Sequence, residues 1–301
     1  MIRIITDSVA SIPKNMLKRF DIQAASLYVR HAGVEHVESD MDIDGFYERI
    51  HEMADDPPTS SQPSQHVLER LFESAAKADD EVLGVFMSSG LSGTFDGAVR
   101  AARSVASRNI GFKYALIDST SAGFDEAWPV FAAAAARDAG ATLQGCVDSV
   151  LRSIRSSRFL FTPDSLTFLQ KGGRIGGASA LLGTLMKICP VLTVREGQAD
   201  TFAKVRTHRR ALERIVEELR NDIEAHGLKN IVVHYIGDKA PALKWAREVV
   251  EPLVGRSVTV LPVSPVIGAH VGPAMGIAYE CGEPIDGKFG SGYRIGVCTC
   301  V

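Results

Sequence analysis

The sequence predicts a two-domain α/β protein. Residues 1–155 form an N-terminal domain with a mostly parallel sheet flanked by helices, and residues 156–301 form a smaller α/β domain with a mixed sheet. Three observations carry this reading. Short apolar runs at 2–6, 82–87 and 114–117 alternate with amphipathic helical patterns, which is the rhythm of a parallel sheet. Each run ends in small polar residues: Asp7-Ser8, then Ser88-Ser89-Gly90-Leu91-Ser92-Gly93-Thr94, then Asp118-Ser119-Thr120-Ser121. In a parallel sheet these ends gather along the edge where such sheets hold ligands. Past Ser156 the texture changes to closely spaced strand patterns with a hairpin, so antiparallel pairs are expected there.

Composition narrows the function classes. With 301 residues, 46% hydrophobic and 23% charged, the chain can bury a sizeable core. A formal net charge of -3 with dispersed basic residues excludes nucleic acid as a main partner and leaves only transient contact with a membrane. The N-terminus opens directly as a strand, no apolar run matches a bilayer's thickness, and a cytoplasmic location is expected. Five scattered cysteines give no disulfide framework. Cys298-Thr299-Cys300 lacks a second ligand pair at a matching spacing, so neither metal nor cofactor is expected.

In chain order, the first strand, 2–6, leads through Asp7-Ser8 to a short helix opened by Pro13. A strand at 24–29 precedes the polar segment 31–44, whose Glu35, Glu38, Asp40, Asp42 and Asp44 lack the glycine and terminal glutamate of a calcium loop and read as solvated. A helix over 45–53 comes next. Pro57-Pro58-Thr59-Ser60-Ser61-Gln62-Pro63-Ser64 reads as a rigid polar loop into a helix carrying Val67, Leu68, Leu71, Phe72 and Ala75 on one face. The strand 82–87 and the turn 88–94 lead to a helix over 94–108, with Phe95, Ala98, Val99, Ala102 and Val105 on its buried face. The turn itself has two readings: a cap for that helix, or an anion site built from hydroxyls and amides at a positive helix end.

Two further helices, 127–140 and 142–155, close the first domain. In the second, 159–161 reads as a strand and 164–171 as a helix closed by Gly172-Gly173. Gly172-Gly173-Arg174-Ile175-Gly176-Gly177 follows a helix instead of a strand, so a dinucleotide fingerprint is excluded and the glycines present Arg174. Leu181, Leu182, Leu185, Met186 and Ile188 read as one apolar helix face. A hairpin spans 190–205, followed by a helix over 208–226, a strand at 230–235, a helix at 241–254 and a strand at 257–262. His270, between glycines, is expected on a loop, followed by a strand at 276–280 and a hydrophobic final strand.

Taken in series, Thr6-Asp7-Ser8, Ser60-Ser61-Gln62-Pro63-Ser64, Ser89-Gly90-Leu91-Ser92-Gly93-Thr94, Lys171-Gly172-Gly173-Arg174-Ile175 and Gly268-Ala269-His270-Val271-Gly272-Pro273 resemble the DegV family in order and spacing over about residues 1 to 280. The resemblance implies a two-domain fold that binds a long-chain fatty acid, such as palmitate or oleate, between the domains. It further implies an acyl-binding subunit without turnover of its own, which presents the carboxylate to a fatty acid kinase catalytic subunit for acyl phosphate and phospholipid synthesis. By the same resemblance Ser60, Ser92, the Gly93 amide and His270 hold the carboxylate, with Thr59 and Ser61 beside Ser60, and Arg174 meets the kinase. A loop carrying His270 would return to the interdomain site.

Ser60 stands where the family usually has threonine, with Thr59 available in another register. Ala274 replaces a glycine, and the tail beyond about residue 285 exceeds the usual family length. Burying about fifteen methylenes at ~0.8 kcal/mol each gives ~12 kcal/mol before binding costs, so the tail supplies affinity and the head group needs only orientation. The alternatives are a serine hydrolase using Ser92 and His270 with Asp7 or Asp118, for which the Gly-x-Ser-x-Gly elbow is one residue short, and a binder of another anionic small molecule such as a sugar phosphate.

Overall fold

A computed structural model describes residues 1–182, 188–285 and 287–300. Strand β1 (Ile2–Asp7) leads to helix α1 (Lys14–Arg19) and β2 (Ile22–Ala25). The hairpin β3 (Tyr28–His31) and β4 (Val34–Val37) precedes α2 (Ile43–Glu48) and the short β5 (Thr59–Ser61). Helix α3 (Gln65–Lys77), β6 (Glu81–Phe86), α4 (Thr94–Arg108), β7 (Tyr114–Asp118), α5 (Phe124–Asp138) and α6 (Leu143–Ser156) complete the first half. The second half runs β8 (Ser157–Pro163), α7 (Thr167–Lys171), β9 (Cys189–Arg195), β10 (Gln198–Val205), α8 (His208–His226), β11 (Leu228–Ile236), α9 (Lys239–Trp245), α10 (Glu251–Val254), β12 (Thr259–Pro262), α11 (Pro265–Val271), β13 (Ala274–Cys281) and β14 (Val297–Cys300).

One sheet has the order β14-β7-β6-β1-β2 and is parallel except for β14. A second has the order β10-β9-β8-β13-β11-β12 and is antiparallel except for β11 with β12. The β3-β4 hairpin and β5 make a small third sheet. Strands of the parallel sheet are apolar on both faces because both are covered. Ile4, Leu83, Val85 and Ile117 pack with α5 and α6, while Ile5, Val82, Phe86 and Leu116 pack with α3 and α4. Side-chain caps start the helices where the sequence supplies them: Ser64 accepts from Val67 N–H, Thr142 from Gly145 N–H, Thr207 from Arg210 N–H and Ser264 from Ile267 N–H.

Several sequence expectations change here. The segment 31–44 is not a solvated loop, because Glu38 is 4% exposed and its carboxylate accepts from Ser8 Oγ, Ser264 Oγ and Val266 N–H. A polar loop around Ser60 becomes strand β5, since β3 offers it a pairing edge. His270 lies on the last turn of α11 and not on a loop: Ser264 and Pro265 start that helix, and Gly272, at φ 69, ends it. Of the helix face anticipated at 181–188, Leu181 ends a 3-10 turn over Gly176–Leu181 and Leu182 is extended, while Leu185 and Met186 lie outside the described residues.

The proposed break near Ser156 coincides with the passage from α6 to β8. The last segment crosses back over it, since β14 pairs antiparallel with β7 of the first sheet. Lys288 fastens this return by donating to the carbonyls of Ile154 and Ser157, and Gly290 N–H donates to Glu196. The tail is thus a strap across both sheets.

Asp7 is fully buried, and burial pushes its carboxyl up to about 7 although it accepts from Met87 and Val9 N–H. An unfolded aspartate titrates near 3.8, so between about 4 and about 7 the folded chain holds a proton that the unfolded chain has lost. Stability therefore falls as pH rises through that window and levels off above it. Urea unfolding at a series of pH values should show this slope, and Asp7→Asn should flatten part of it.

Candidate functional site

The turn Lys171-Gly172-Gly173-Arg174 ties three remote pieces of chain together. Lys171 Nζ donates to the carbonyls of Ala54 and Asp55, each at 2.9 Å. Arg174 donates through Nε to Leu91 O at 3.2 Å and through Nη1 to Gly172 O at 2.8 Å. Between them Gly172 lies against the His270 ring, so close that a Cβ there would fall 2.5 Å from Nδ1. Gly272, with φ +69, packs its Cα hydrogen face on Phe168, where a Cβ would come within 2.3 Å of the ring. These contacts demand glycine for space as well as for helix termination.

Helix α11 is anchored at its other end by Glu38 and by Tyr47, whose hydroxyl donates to the carbonyls of Val263 and Ser264. Its last turn thereby sets His270 Nε2 2.7 Å from Ser60 Oγ on β5. Burial, with Arg174's positive charge second, lowers the His270 pKa to about 4, so the ring is neutral at neutral pH. Ser92 Oγ meets Thr94 Oγ1 at 2.9 Å and accepts from Thr94 N–H, and Gly93 is the cap residue of α4. Ser88 donates to Gly197 O, and Ser89 donates to Asp118, so these two serines shape the turn.

Ser60, Ser92, His270 and Arg174 border one cleft, whose other walls are apolar: Leu27, Met87, Leu91, Phe159, Phe161 and Leu169 among them. Its space is about 620 Å³ with the mouth and the open solvent in it included. Phe159, Phe161, Ile267 and Val271 also border a second, smaller apolar space beside the cleft, lined further by Ala274 and Gly276. Thr59 and Ser61 do not line the cleft. Alternation along β5 turns Ser60 inward and exposes its two neighbours, which removes the other register.

The hydrolase constellation does not assemble among the described residues. His270 Nε2 faces Ser60, and Ser92 is engaged with Thr94. Asp7 accepts from Val9 and Met87, while Asp118 accepts from Ser89 and Thr120. No carboxylate orients the ring, and His270 Nδ1 has no hydrogen-bond partner there. No group of three His, Cys, Asp or Glu side chains among the described residues is placed to hold a metal, and no described helix is long and apolar enough to cross a membrane.

A parallel and a mixed sheet that share one apolar cleft, ending in hydroxyls, a neutral imidazole and a guanidinium, define an α/β protein organised around that cleft. This chain belongs to the DegV family: the family model, described as an uncharacterised protein of the DegV family, matches residues 1–281. A DegV domain-containing protein of Clostridium acetobutylicum is 37% identical over 284 residues, covering 92% of this chain and 97% of the relative. Among solved structures, a fatty-acid-binding DegV family protein from Thermus thermophilus superposes with a TM-score of 0.81 at 29% identity, covering 93% of this chain and 99% of that one. DegV from Bacillus subtilis, described as a fatty acid binding protein, gives 0.83 at 29% identity with the same coverage.

Glu38 and Tyr47 escaped the sequence reading. Glu38 sits in a run of acidic residues with no local sign that it alone is buried, and Tyr47 finds its carbonyls more than two hundred residues away. Gly172→Val is expected to push His270 off Ser60. The imidazole resonances of His270 should shift in the NMR spectrum of the variant, while far-UV circular dichroism stays that of the parent.

Proposed function

We propose that this chain binds a long-chain fatty acid, such as palmitate or oleate, with its tail along the apolar cleft and its carboxylate at Ser60, Ser92, the Gly93 amide and His270. The observation that carries this reading is the cleft's polarity: one end gathers two hydroxyls and an imidazole, and the rest is aliphatic and aromatic side chain. The Thermus and Bacillus relatives, described as fatty acid binding, support it. The chain acts as a carrier and not a catalyst, and a sugar phosphate would leave the apolar walls without a use.

A neutral His270 accepts or donates one hydrogen bond without bringing a charge, so the buried carboxylate is held by oriented dipoles, and Arg174 at the rim is left free for a partner. Arg174 is exposed, and its backbone-directed hydrogen bonds fix the guanidinium beside the head group. From there it meets the catalytic subunit of a fatty acid kinase, which phosphorylates the presented carboxylate to acyl phosphate for phospholipid synthesis. Loading and delivery place the protein in the cytoplasm with transient membrane contact.

Mass spectrometry of the denatured, purified protein should find a co-purified fatty acid of fourteen to eighteen carbons. Ser92→Ala should weaken palmitate binding about fivefold, the worth of one hydrogen bond. Ligand-free protein without affinity for palmitate or oleate overturns the proposal. Arg174→Ala should keep the acid bound and slow its phosphorylation by an added kinase subunit about tenfold, as loss of a charge-assisted contact would. Unchanged phosphorylation by that variant removes the role given to Arg174.

A further inference from the structure

The smaller space beside the cleft is lined by apolar residues and glycine together with one histidine. His234, on β11, is 1% exposed and borders this space together with Phe159, Phe161 and Ile267. Across the sheet its register partner is Gly276, whose partner on the other side is Phe161, so the three residues form one row on the same face. A Cβ at Gly276 would fall 2.6 Å from Phe161 Cβ and 2.3 Å from Leu160 O, so only glycine fits the middle of the row. The missing side chain leaves a trough between the Phe161 and His234 rings.

His234 Nδ1 lies 3.1 Å from Leu261 O. A carbonyl accepts only, so Nδ1 carries the proton. Burial lowers the His234 pKa to about 4, which keeps the ring neutral. In a neutral imidazole with its proton on Nδ1, Nε2 is a bare acceptor, and His234 Nε2 has no hydrogen-bond partner among the described residues. A buried acceptor without a partner is costly, and a methylene passing over it does nothing to relieve that cost.

We infer that the favoured cargo is a fatty acid carrying a hydroxyl along its chain, with that hydroxyl donating to His234 Nε2 in the trough over Gly276. This rests on the fatty-acid reading of the cleft and adds a specificity element at the end remote from Ser92. A hydroxylated chain satisfies the acceptor and loses its own desolvation penalty in the same contact. An oxo group at the same carbon accepts only, so it meets Nε2 lone pair to lone pair and is disfavoured. The selectivity is therefore for a donor, not for polarity as such.

The test uses the delipidated full chain, displacement of a fluorescent fatty acid, and three kinds of competitor: stearate, a set of stearates each with one hydroxyl stepped along the chain, and the matching oxostearates. At least one hydroxystearate should bind about fivefold more tightly than stearate and than its oxo counterpart. In His234→Phe the ratio of hydroxystearate to stearate affinity should fall to about one. In the unaltered protein the nitrogen-15 signal of His234 Nε2 should shift with that hydroxystearate and stay in place with the oxostearate, a readout that needs no variant. Hydroxystearates that all bind no better than stearate overturn the inference, as does an advantage that survives His234→Phe. Failure of stearate itself to bind overturns the fatty-acid reading beneath it, and the two failures are separate in the same titration.

Discussion

The buried carboxylate of Glu38 fixes the geometry on which the cleft depends. Ser8, just past the end of β1 in the parallel sheet, and Ser264 and Val266, at the start of α11 beside the mixed sheet, all donate to it. Ser8 Oγ in turn accepts from Leu27 N–H, whose side chain borders the cleft. Burial raises the Glu38 pKa, and its three hydrogen bonds oppose that rise. One residue thus joins the edges of two sheets, and losing it would leave buried donors without an acceptor. With α11 held at its start by Glu38 and Tyr47, its last turn can place His270 over Ser60.

The same economy of contacts explains the glycines of the site. Gly268 packs on the Tyr47 ring, Gly172 on His270 and Gly272 on Phe168, each where a Cβ would come within 3 Å of its neighbour. Helix α11 is therefore gripped along its length by aromatic and imidazole rings set against bare backbone. An interior packed this closely transmits a displacement instead of absorbing it. The polar end of the cleft is accordingly rigid. In a cavity of this kind apolar area supplies affinity and a few fixed polar atoms supply orientation.

Charge is arranged by the same logic. His270 is neutral through burial and the proximity of Arg174, so the guanidinium is the positive group at the mouth. Asp7 and Asp118, attractive as triad members in the sequence, are consumed by backbone amides and by Ser89, which turns them into braces for the strand-end turns. The tail beyond residue 281, where the match to the family model ends, is a brace too. Lys288 grips carbonyls at the junction of α6 and β8, and β14 then completes the parallel sheet's edge.

What the sequence determined by itself was local and periodic. Alternating apolar runs and helical stripes gave the parallel sheet, its helices and the hairpin at Glu196-Gly197, because each is a short-range pattern written in consecutive residues. Motifs in series pointed to Ser60, Ser92, Arg174 and His270, all of which border the cleft. Tertiary structure alone decided which of Thr59, Ser60 and Ser61 faces inward, since that depends on the register of β5 against β3. It alone turned the expected His270 loop into a helix end, buried Glu38 out of a row of acids, and set His234 against a trough made by Gly276. Each of these rests on partners tens to hundreds of residues away, and burial is a property of what packs against a residue, which no neighbouring letter records.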